Sequence, residues 1–311
     1  MSSSTEQQAV EEVCASCGKA AVDDVTLKKC ACDLVKYCSF DCQKNHRPQH
    51  KKTCKKRLAE IRDDKLFTQP DGVHFGECPL CCLSLPINEQ KSTVNSCCCK
   101  RICKGCSHAN TLREEELSQY PKCPFCREPL PKTQEEIEKN VMKRVKANDP
   151  VALRAKGVAC YSEGDYEGAF EYYSKAAGLG DIEAHYNLTY MYNDGKGVEK
   201  DVKKEVYHME EAAIGGHPSA RYNLANHEGR NGRIERAMKH YIISAKLGDG
   251  GALEAVKMCF QGGIVSKEDY EAALREHQAA VDATKSEQRE AAEKSGIKGL
   301  IYKTVEQREA A

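Results

Sequence analysis

The 311-residue sequence contains no tryptophan, and aromatic residues make up only 6% of the chain. We also expect no secretion signal, because residues 1–13 have neither a basic start nor an apolar stretch of signal length. No segment approaches the roughly 20 consecutive apolar residues of a membrane-spanning helix. These absences predict a protein without a membrane span that is intracellular, in the cytoplasm or the nucleus.

The formal net charge of the chain is zero, because it has 47 basic and 47 acidic residues. A balanced chain gives no whole-molecule argument for nucleic acid as a partner. Residues 44–57 are the local exception, with seven Lys or Arg and no acid. We interpret this run as a solvated helix face; a nuclear address or a phosphate-contacting patch is the alternative.

Cysteine, in contrast, is abundant and clustered. Of the 19 cysteines, 17 lie between Cys14 and Cys126, and only Cys160 and Cys259 lie beyond. Disulfides belong to oxidising compartments and usually to secreted chains. Without a secretion signal, the cluster predicts metal sites in a reducing compartment.

Four candidate ligand pairs follow one another in residues 14–54. Zinc prefers four ligands in a tetrahedron, and two cysteines on a tight turn present two thiolates to one ion. Eight ligands therefore imply two ions. The candidates are Cys14, Cys17, Cys30, Cys32, Cys38, Cys42, His50 and Cys54. His46 is the alternative to His50, which we favour because its spacing from Cys54 puts both side chains on one face of a helix.

The order of these pairs, together with Tyr37-Cys38-Ser39 and Cys42-Gln43, closely resembles the MYND zinc finger family. The resemblance implies interleaved sites, with one zinc on Cys14, Cys17, Cys38 and Cys42 and the other on Cys30, Cys32, His50 and Cys54. Two features depart from the family: Ala31 alone separates Cys30 from Cys32, and no Trp precedes the ligand histidine. We expect a peptide groove that relied on that indole to be altered.

A second set of ligand pairs follows the turn signal Pro70-Asp71-Gly72. Three CxxC pairs and one cysteine cluster within residues 78–126 are a strong metal signal. The candidate ligands are Cys78, Cys81, Cys97, Cys98, Cys103, Cys106, Cys123 and Cys126.

This second set resembles a RING finger. The resemblance implies one zinc on Cys78, Cys81, Cys103 and Cys106, and another on Cys123, Cys126 and two residues of the cluster 97–99. The family's histidine position falls on Lys100, which cannot bind zinc while protonated. The choice within the cluster therefore stays open, with a preference for Cys97 and Cys98. His108 is a spare candidate, and we expect Cys82 to be a packed or inert thiol rather than a ligand.

Three residues match the surface with which RING fingers hold a ubiquitin-conjugating enzyme: Leu80, Pro124 and Arg127. The resemblance implies no catalytic side chain, since such a module only holds the enzyme–ubiquitin thioester in a reactive geometry. Alternatively, Leu80 is buried, Pro124 fixes a turn and Arg127 is solvated, and the module only stabilises structure. The sequence leaves a possible ubiquitin ligase and a non-enzymatic scaffold open.

Similar segments recur beyond residue 149. The stretches 176–181, 212–217 and 244–249 share small residues followed by Gly-Asp or Gly-His, and they are spaced by 36 and 32 residues. Such periods predict stacked supersecondary units. The runs 192–198 and 212–216 resemble Sel-one-like repeats, relatives of the tetratricopeptide class. The resemblance implies an α-solenoid with a concave protein-binding surface, made of three good units and a degenerate fourth.

The histidines of this region are interpreted as packing or surface residues, because His208 and His240 occupy equivalent columns of two units. No nucleophile, carboxylate pair or phosphate loop suggests catalysis. A lysine methyltransferase domain would need a strand-rich pattern, which residues 149–311 lack. A DNA-reading factor is disfavoured by the neutral charge.

Together these patterns predict a multidomain fold: two small zinc-stabilised modules with little regular structure, then an all-α solenoid of helical hairpin repeats. The predicted function is a zinc-binding protein-interaction adaptor that binds about four zinc ions and partners that are proteins or peptides. The predicted segments are a disordered N-terminus (1–13), a MYND-type finger (14–54), a linker (55–77), a RING-like finger (78–127), a linker helix (133–147), repeats (149–283) and a charged tail (284–311).

Overall fold

A computed structural model describes residues 12–21 and 26–295 of the chain. The chain divides into two compact units, the first ending at Thr68 and the second beginning at Gln69. Most of the predicted disordered N-terminus and residues 296–311 of the predicted tail lie outside the described residues.

The first unit is built from a short hairpin and one long helix. Its elements are β1 (Lys28–Lys29), β2 (Lys36–Tyr37) and α1 (Phe40–Phe67). The strands are antiparallel. The hydroxyl of Ser39 caps α1 by accepting a hydrogen bond from the Cys42 amide. The buried core is Cys14, Cys30, Cys32 and Tyr37, which is too little apolar surface to hold a fold of this size without a metal.

Helix α1 runs well past Cys54, to Phe67, and so enters the segment predicted as a linker, residues 55–77. Residues 55–67 are rich in Lys, Arg and Leu, which have high helix propensity. This propensity extends the helix where the polar composition suggested a linker. The Lys and Arg side chains of residues 44–56 are exposed.

The second unit begins with a small module around residues 75–130. It contains a 3₁₀ turn (Glu89–Lys91), strands β3 (Ser92–Val94) and β4 (Arg101–Cys103), and helix α2 (Lys104–Glu116). The strands are antiparallel, with Ser92 opposite Cys103. The buried core is Cys78, Leu85, Ile102, Cys103 and Cys106, against which Phe75 and Phe125 pack.

Helix α3 (Gln134–Lys146) connects this module to the repeats. Thr133 caps it by accepting a hydrogen bond from the Glu136 amide at 3.2 Å. On one face, Ile137 and Val141 are buried against Ala152 of the first repeat. This segment is therefore packed against its neighbour rather than extended in solvent.

Eight helices follow as four antiparallel hairpins, and among the described residues 134–295 there is no strand. They are α4 (Pro150–Glu163), α5 (Tyr166–Gly178), α6 (Ile182–Asp194), α7 (Val202–Ile214), α8 (Pro218–Arg230), α9 (Ile234–Lys246), α10 (Gly250–Gln261) and α11 (Lys267–Asp282). Each hairpin packs on the next, with small residues such as Ala169 and Ala237 fully buried between helices. The predicted fold class, zinc modules followed by an all-α repeat solenoid, is confirmed.

The turns between repeats share one hydrogen-bond pattern, which explains the recurring Gly-Asp and Gly-His pairs. Gly180, Gly216 and Gly248 have φ of +88°, +85° and +97°. The next residue in each case donates its amide to a carbonyl five residues earlier, at 3.0 to 3.2 Å. A left-handed glycine followed by this bond ends a helix in the Schellman manner.

The structure differs from the sequence prediction for the start of the charged tail, residues 284–311. Helix α12 (Glu287–Lys294) packs against α2, and it buries Arg289 and Ala292, which lie one turn apart on the same face. The low apolar content concealed this contact because the buried face consists of one arginine and one alanine.

The segment between Gln69 and Glu77 also packs against the repeats. The amide of His74 donates to the carbonyl of Gly216 at 3.2 Å. A Cβ on Gly216 would lie only 2.7 Å from the carbonyl oxygen of Gly72. Gly216 is therefore needed both for its backbone angles and for this close approach.

No helix within residues 12–21 and 26–295 has both the length and the apolar character needed to cross a membrane.

We predict that Gly216→Ala destabilises the second unit more than Gly232→Ala. Both glycines have positive φ, +85° and +74°, so both substitutions cost about 1 kcal/mol in backbone strain. Only the first also drives a methyl group against Gly72, which we expect to add about 1–3 kcal/mol. Urea unfolding followed by the helical circular dichroism signal measures the difference. Equal losses would mean that the contact between residues 72–74 and the repeats adds no stability.

Candidate metal centres

The first unit brings its eight candidate ligands together as two clusters. In each cluster the four ligand atoms lie within 4.8 Å of one another. The sulfur atoms of Cys17 and Cys38 are 3.6 Å apart, and His50 Nε2 lies 3.1 Å from Cys32 Sγ. The clusters are Cys14, Cys17, Cys38 and Cys42, and Cys30, Cys32, His50 and Cys54.

His46, the alternative ligand, lies outside both clusters. Its ring stacks on His50, with centroids 5.6 Å apart, and its Nδ1 is 2.9 Å from the hydroxyl oxygen of Tyr37. His46 thus supports the position of His50 from the side. The spacing in the sequence favoured His50, and the structure assigns the supporting role to His46.

The second unit contains two further clusters of four cysteines. They are Cys78, Cys81, Cys103 and Cys106, called the third site below, and Cys97, Cys98, Cys123 and Cys126, the fourth site. Measured sulfur separations are 3.9 Å for Cys81–Cys103 and 3.3 Å for Cys97–Cys126. Four sulfurs at about 2.3 Å from one zinc ion are separated by about 3.8 Å. Both clusters are therefore close to the size that zinc requires.

One backbone turn recurs at Cys14, Cys78 and Cys123, each the first cysteine of a CxxC pair. The carbonyl of the first cysteine accepts a hydrogen bond from the fourth residue after it, at 2.8 to 3.0 Å. Its amide donates to the fifth residue after it, at 2.8 or 2.9 Å. The turn holds both thiolates on one side, which explains how a short segment supplies half of a tetrahedral site.

The residue after each of these pairs has a left-handed backbone: Gly18, Cys82 and Arg127 have φ of +73°, +56° and +62°. Glycine adopts this conformation without strain, whereas a side chain costs roughly 1 kcal/mol. Of the three residues, only Gly18 is of a type that indicates a left-handed backbone from the sequence. For Cys82 and Arg127 the sequence indicates this conformation only through their position directly after a CxxC pair.

The same turn occurs a fourth time, around the cysteine cluster, with Asn95 in the place of the first ligand. The amide of Asn95 donates to Lys100 at 3.1 Å, and its carbonyl accepts from Cys99 at 2.7 Å. Cys98 is thus the second ligand of the turn, and Cys99 is the left-handed residue after it, with φ +57°. Cys97, within the turn, supplies the thiol that Asn95 lacks.

Cys99 points away from the fourth site and packs against the core formed by Ile137, Val141 and Ala152. Burial, followed by the nearby charge of Asp149, raises the pKa of Cys99 to about 12. Cys99 is not one of the four residues whose ligand atoms come together in the fourth site. Cys82 is exposed and His108 half-buried, and neither belongs to any of the four clusters.

Hydrogen bonds within the clusters favour thiolates at some positions and thiols at others. Backbone amides of Cys17 and Cys38 lower the pKa of Cys14 to about 6. Hydrogen bonds with Cys17 and then Cys42 raise the pKa of Cys38 to about 12. Adjacent thiolates repel one another, so a cation must offset that repulsion before all four can ionise. Zinc affinity should consequently fall as the pH falls and protons compete for the sulfurs.

The three residues of the predicted enzyme-docking surface differ in exposure. Leu80 is 42% exposed, although it is a large apolar side chain. Arg127 is exposed and Pro124 is half-buried. Phe125, next to Pro124, packs against the core around Cys78. The reading in which Leu80 is simply buried does not agree with this exposure.

A further group of possible ligands, His74, Glu183 and His217, lies at the contact between residues 69–77 and the repeats. Glu183 Oε1 lies within hydrogen-bond distance of Nε2 of both histidines, at 3.3 Å for His217. Nδ1 of His217 accepts the amide of Ala220 at 3.3 Å, so in the neutral ring the proton is on Nε2. Nε2 then donates to Glu183 and has no lone pair for a metal. We interpret this group as a buried hydrogen-bonded contact.

The remaining histidines of the repeats form packing contacts. His185 Nδ1 and His208 Nδ1 are 2.9 Å apart, so one donates to the other. Burial, followed by the charge of His185, lowers the pKa of His208 to about 4. His240 is fully buried. These positions agree with the packing role that the sequence suggested.

Comparisons with known proteins match two parts of the chain to families. Residues 14–54 match the MYND finger, and residues 155–181, 182–217 and 218–249 each match the Sel1 repeat. The resemblances to the MYND finger and to Sel-one-like repeats are confirmed. The match and the clusters support zinc as the cofactor. The number of ions and the RING-like interpretation of residues 78–127 stay predictions.

Solved structures with similarity to the chain include a Sel1 repeat protein from Oxalobacter formigenes. That protein is 21% identical with a TM-score of 0.42, and the match covers 60% of this chain and 86% of the other. Another is c5321, a protective antigen of uropathogenic Escherichia coli with an SLR fold. It is 20% identical with a TM-score of 0.39, and the match covers 55% of this chain and 38% of the other. The search of curated protein sequences gave no match.

We predict that Cys98→Ser lowers the zinc content of the purified chain by one ion, whereas Cys99→Ser leaves it unchanged. A serine hydroxyl is a much weaker zinc ligand than a thiolate. Only Cys98 lies beside Cys123, with sulfur atoms 3.6 Å apart. Zinc can be counted by elemental analysis after removal of loosely bound metal. Loss of an ion in the Cys99 variant alone would contradict this assignment of the fourth site.

Proposed function

We propose that this chain, which carries a MYND finger followed by three Sel1 repeats, is a protein-interaction adaptor whose second zinc module docks a ubiquitin-conjugating enzyme. The MYND finger and Sel1 repeats are protein-interaction modules, which supports the adaptor role. The enzyme-docking role is supported by the exposure of Leu80 and Arg127 on turns built by zinc ligands.

The exposure of Leu80 is the main observation that supports this proposal. Leu80 lies between Cys78 and Cys81, within a turn closed by backbone hydrogen bonds of 2.8 and 2.9 Å. This side chain is 42% exposed, so a large part of its apolar surface is not used for packing within its own module. A rigid, solvent-exposed leucine can contact an apolar pocket on a partner at a small entropic cost.

Arg127 supports the same role by its chemistry. Its amide donates a hydrogen bond to the carbonyl of Cys123 and its backbone is left-handed, so the turn fixes the position from which the side chain projects. A guanidinium offers several donors in a planar fork and can bridge two protein surfaces. In the proposed mechanism it holds the conjugating enzyme against its bound ubiquitin, so that the thioester is presented to an acceptor amine. The chain itself supplies proximity and orientation, and no covalent chemistry.

Clients would be recruited by the repeats. Several large apolar side chains of the repeat helices and turns are exposed, among them Leu179, Val202 and Tyr207. Exposed apolar residues on a rigid array of helices are suited to binding protein segments. The second candidate function is a scaffold whose zinc modules only bind peptides. The absence of tryptophan and the lysine at the usual histidine position favour it.

The test is the discharge of ubiquitin from a panel of loaded conjugating enzymes by the zinc-replete chain. We predict that the chain accelerates discharge with at least one enzyme, and that Leu80→Ala and Arg127→Gly each abolish the acceleration. Glycine is chosen at residue 127 because it relieves the left-handed strain, so a loss of activity cannot be ascribed to misfolding. Leu179→Ala, which truncates a leucine that is 53% exposed in the repeats, is the control and should discharge like the wild type.

If no enzyme of a broad panel responds while the chain carries its zinc, the ligase function is excluded and the scaffold is retained. If Leu179→Ala is as inactive as Leu80→Ala, the docking surface has been assigned to the wrong module.

A further inference from the structure

Arg289 of helix α12 is buried in the second zinc module although it follows the last repeat. It is 6% exposed. Its Nη1 donates to the carbonyls of Ser84 and Thr284, both at 2.7 Å. Its Nη2 donates to the carbonyl of Leu83 at 3.1 Å and to Cys81 Sγ at 3.4 Å. The guanidinium thus lies against the turn that contains two ligands of the third site.

A buried guanidinium needs a negative partner, because removing a charge from water costs several kcal/mol. The four partners described above are three neutral carbonyls and one cysteine sulfur. Zinc bound by four thiolates has a formal charge of −2, and hydrogen bonds from outside the ligand set stabilise such sites. With zinc bound, the zinc–thiolate cluster would be the anion that the buried arginine faces, and the arginine would offset part of its charge.

The backbone of α2 is adapted to this contact. Gly105 lies between the ligands Cys103 and Cys106, and a Cβ there would be 2.9 Å from both the Cγ and the amide nitrogen of Arg289. The neighbouring side chain of Gln288 lies 3.9 Å from Cys106 Sγ. Helix α12 can approach the third site this closely only because residue 105 has no side chain.

We propose that Arg289 is a positioning residue of the third zinc site, which it stabilises by donating a hydrogen bond to the Cys81 thiolate. Zinc binding and the docking of α12 are then coupled, and each strengthens the other by the same factor. The C-terminal segment is thereby a functional part of the zinc module. This inference rests on the proposed ligand set of the third site and is independent of ubiquitin ligase activity.

The test compares Arg289→Gln with Lys294→Gln, which removes one positive charge from the same helix at an exposed position. Zinc retained by the full-length chain is counted over graded concentrations of a chelator. We expect Arg289→Gln to lose one ion at a chelator concentration about 10- to 100-fold lower than wild type, as is usual when a residue supporting a metal ligand is removed. Lys294→Gln should match wild type.

A second readout separates positioning from a merely structural role. In cobalt-substituted protein, the thiolate-to-metal charge-transfer absorption should shift in Arg289→Gln, since a hydrogen bond to a ligand sulfur is lost. Arg289→Lys keeps the charge and should restore part of the affinity. If Arg289→Gln folds poorly, the comparison of Arg289→Lys with the wild type tests the proposal instead. In a Cys106→Ser background, which disables the third site, Arg289→Gln should cause no further loss of zinc.

Identical zinc release and identical cobalt spectra for wild type, Arg289→Gln and Lys294→Gln would overturn the inference while leaving the zinc assignment standing. If instead Cys106→Ser and wild type retain the same amount of zinc, the ligand set of the third site is wrong, and the inference fails with it.

Discussion

Tetrahedral coordination of zinc by the clustered cysteines and His50 is the interaction on which the modules at residues 14–54 and 78–126 depend. The turns that begin at Cys14, Cys78 and Cys123 have the same hydrogen bonds, and each supplies two sulfurs to a different cluster. Strands of two or three residues and small apolar cores cannot offset the entropy of ordering these segments. Metal coordination takes the place of a hydrophobic core, and it also fixes the turns from which Leu80 and Arg127 project.

Within the second unit, the zinc module and the repeats are packed together along several segments. Helix α3 packs against α4, the His74 side chain reaches Glu183, and α12 returns from the end of the repeats to α2. Two of these contacts use buried charged groups, which need well-placed partners and so define one arrangement. These contacts hold the zinc module in one orientation relative to the repeats.

The sequence predicted the ligand pairs and the repeats well, because both depend on local spacing: CxxC pairs on turns, and glycines at a regular period. It did not predict contacts between distant segments. Nothing near His74 or Arg289 indicates a buried contact with the other module, since Glu183 lies 109 residues from His74 and Cys81 lies 208 residues from Arg289. The extent of α1 was missed for another reason, because a polar composition fits both a linker and an exposed helix. The role of Asn95 as the first residue of a ligand turn was not predicted, because backbone hydrogen bonds rather than the first side chain specify that turn.

The most direct test of the central claim is hydrogen–deuterium exchange of the zinc-replete chain before and after chelation. If zinc coordination takes the place of a hydrophobic core, amides in the turns at Cys14, Cys78 and Cys123 should lose their protection when zinc is removed. Amides within helices α4 to α9 should keep theirs, because alanines and other apolar residues bury those helices against one another. Turns that stay protected without zinc would show that the modules fold by some other interaction, and the account would be wrong.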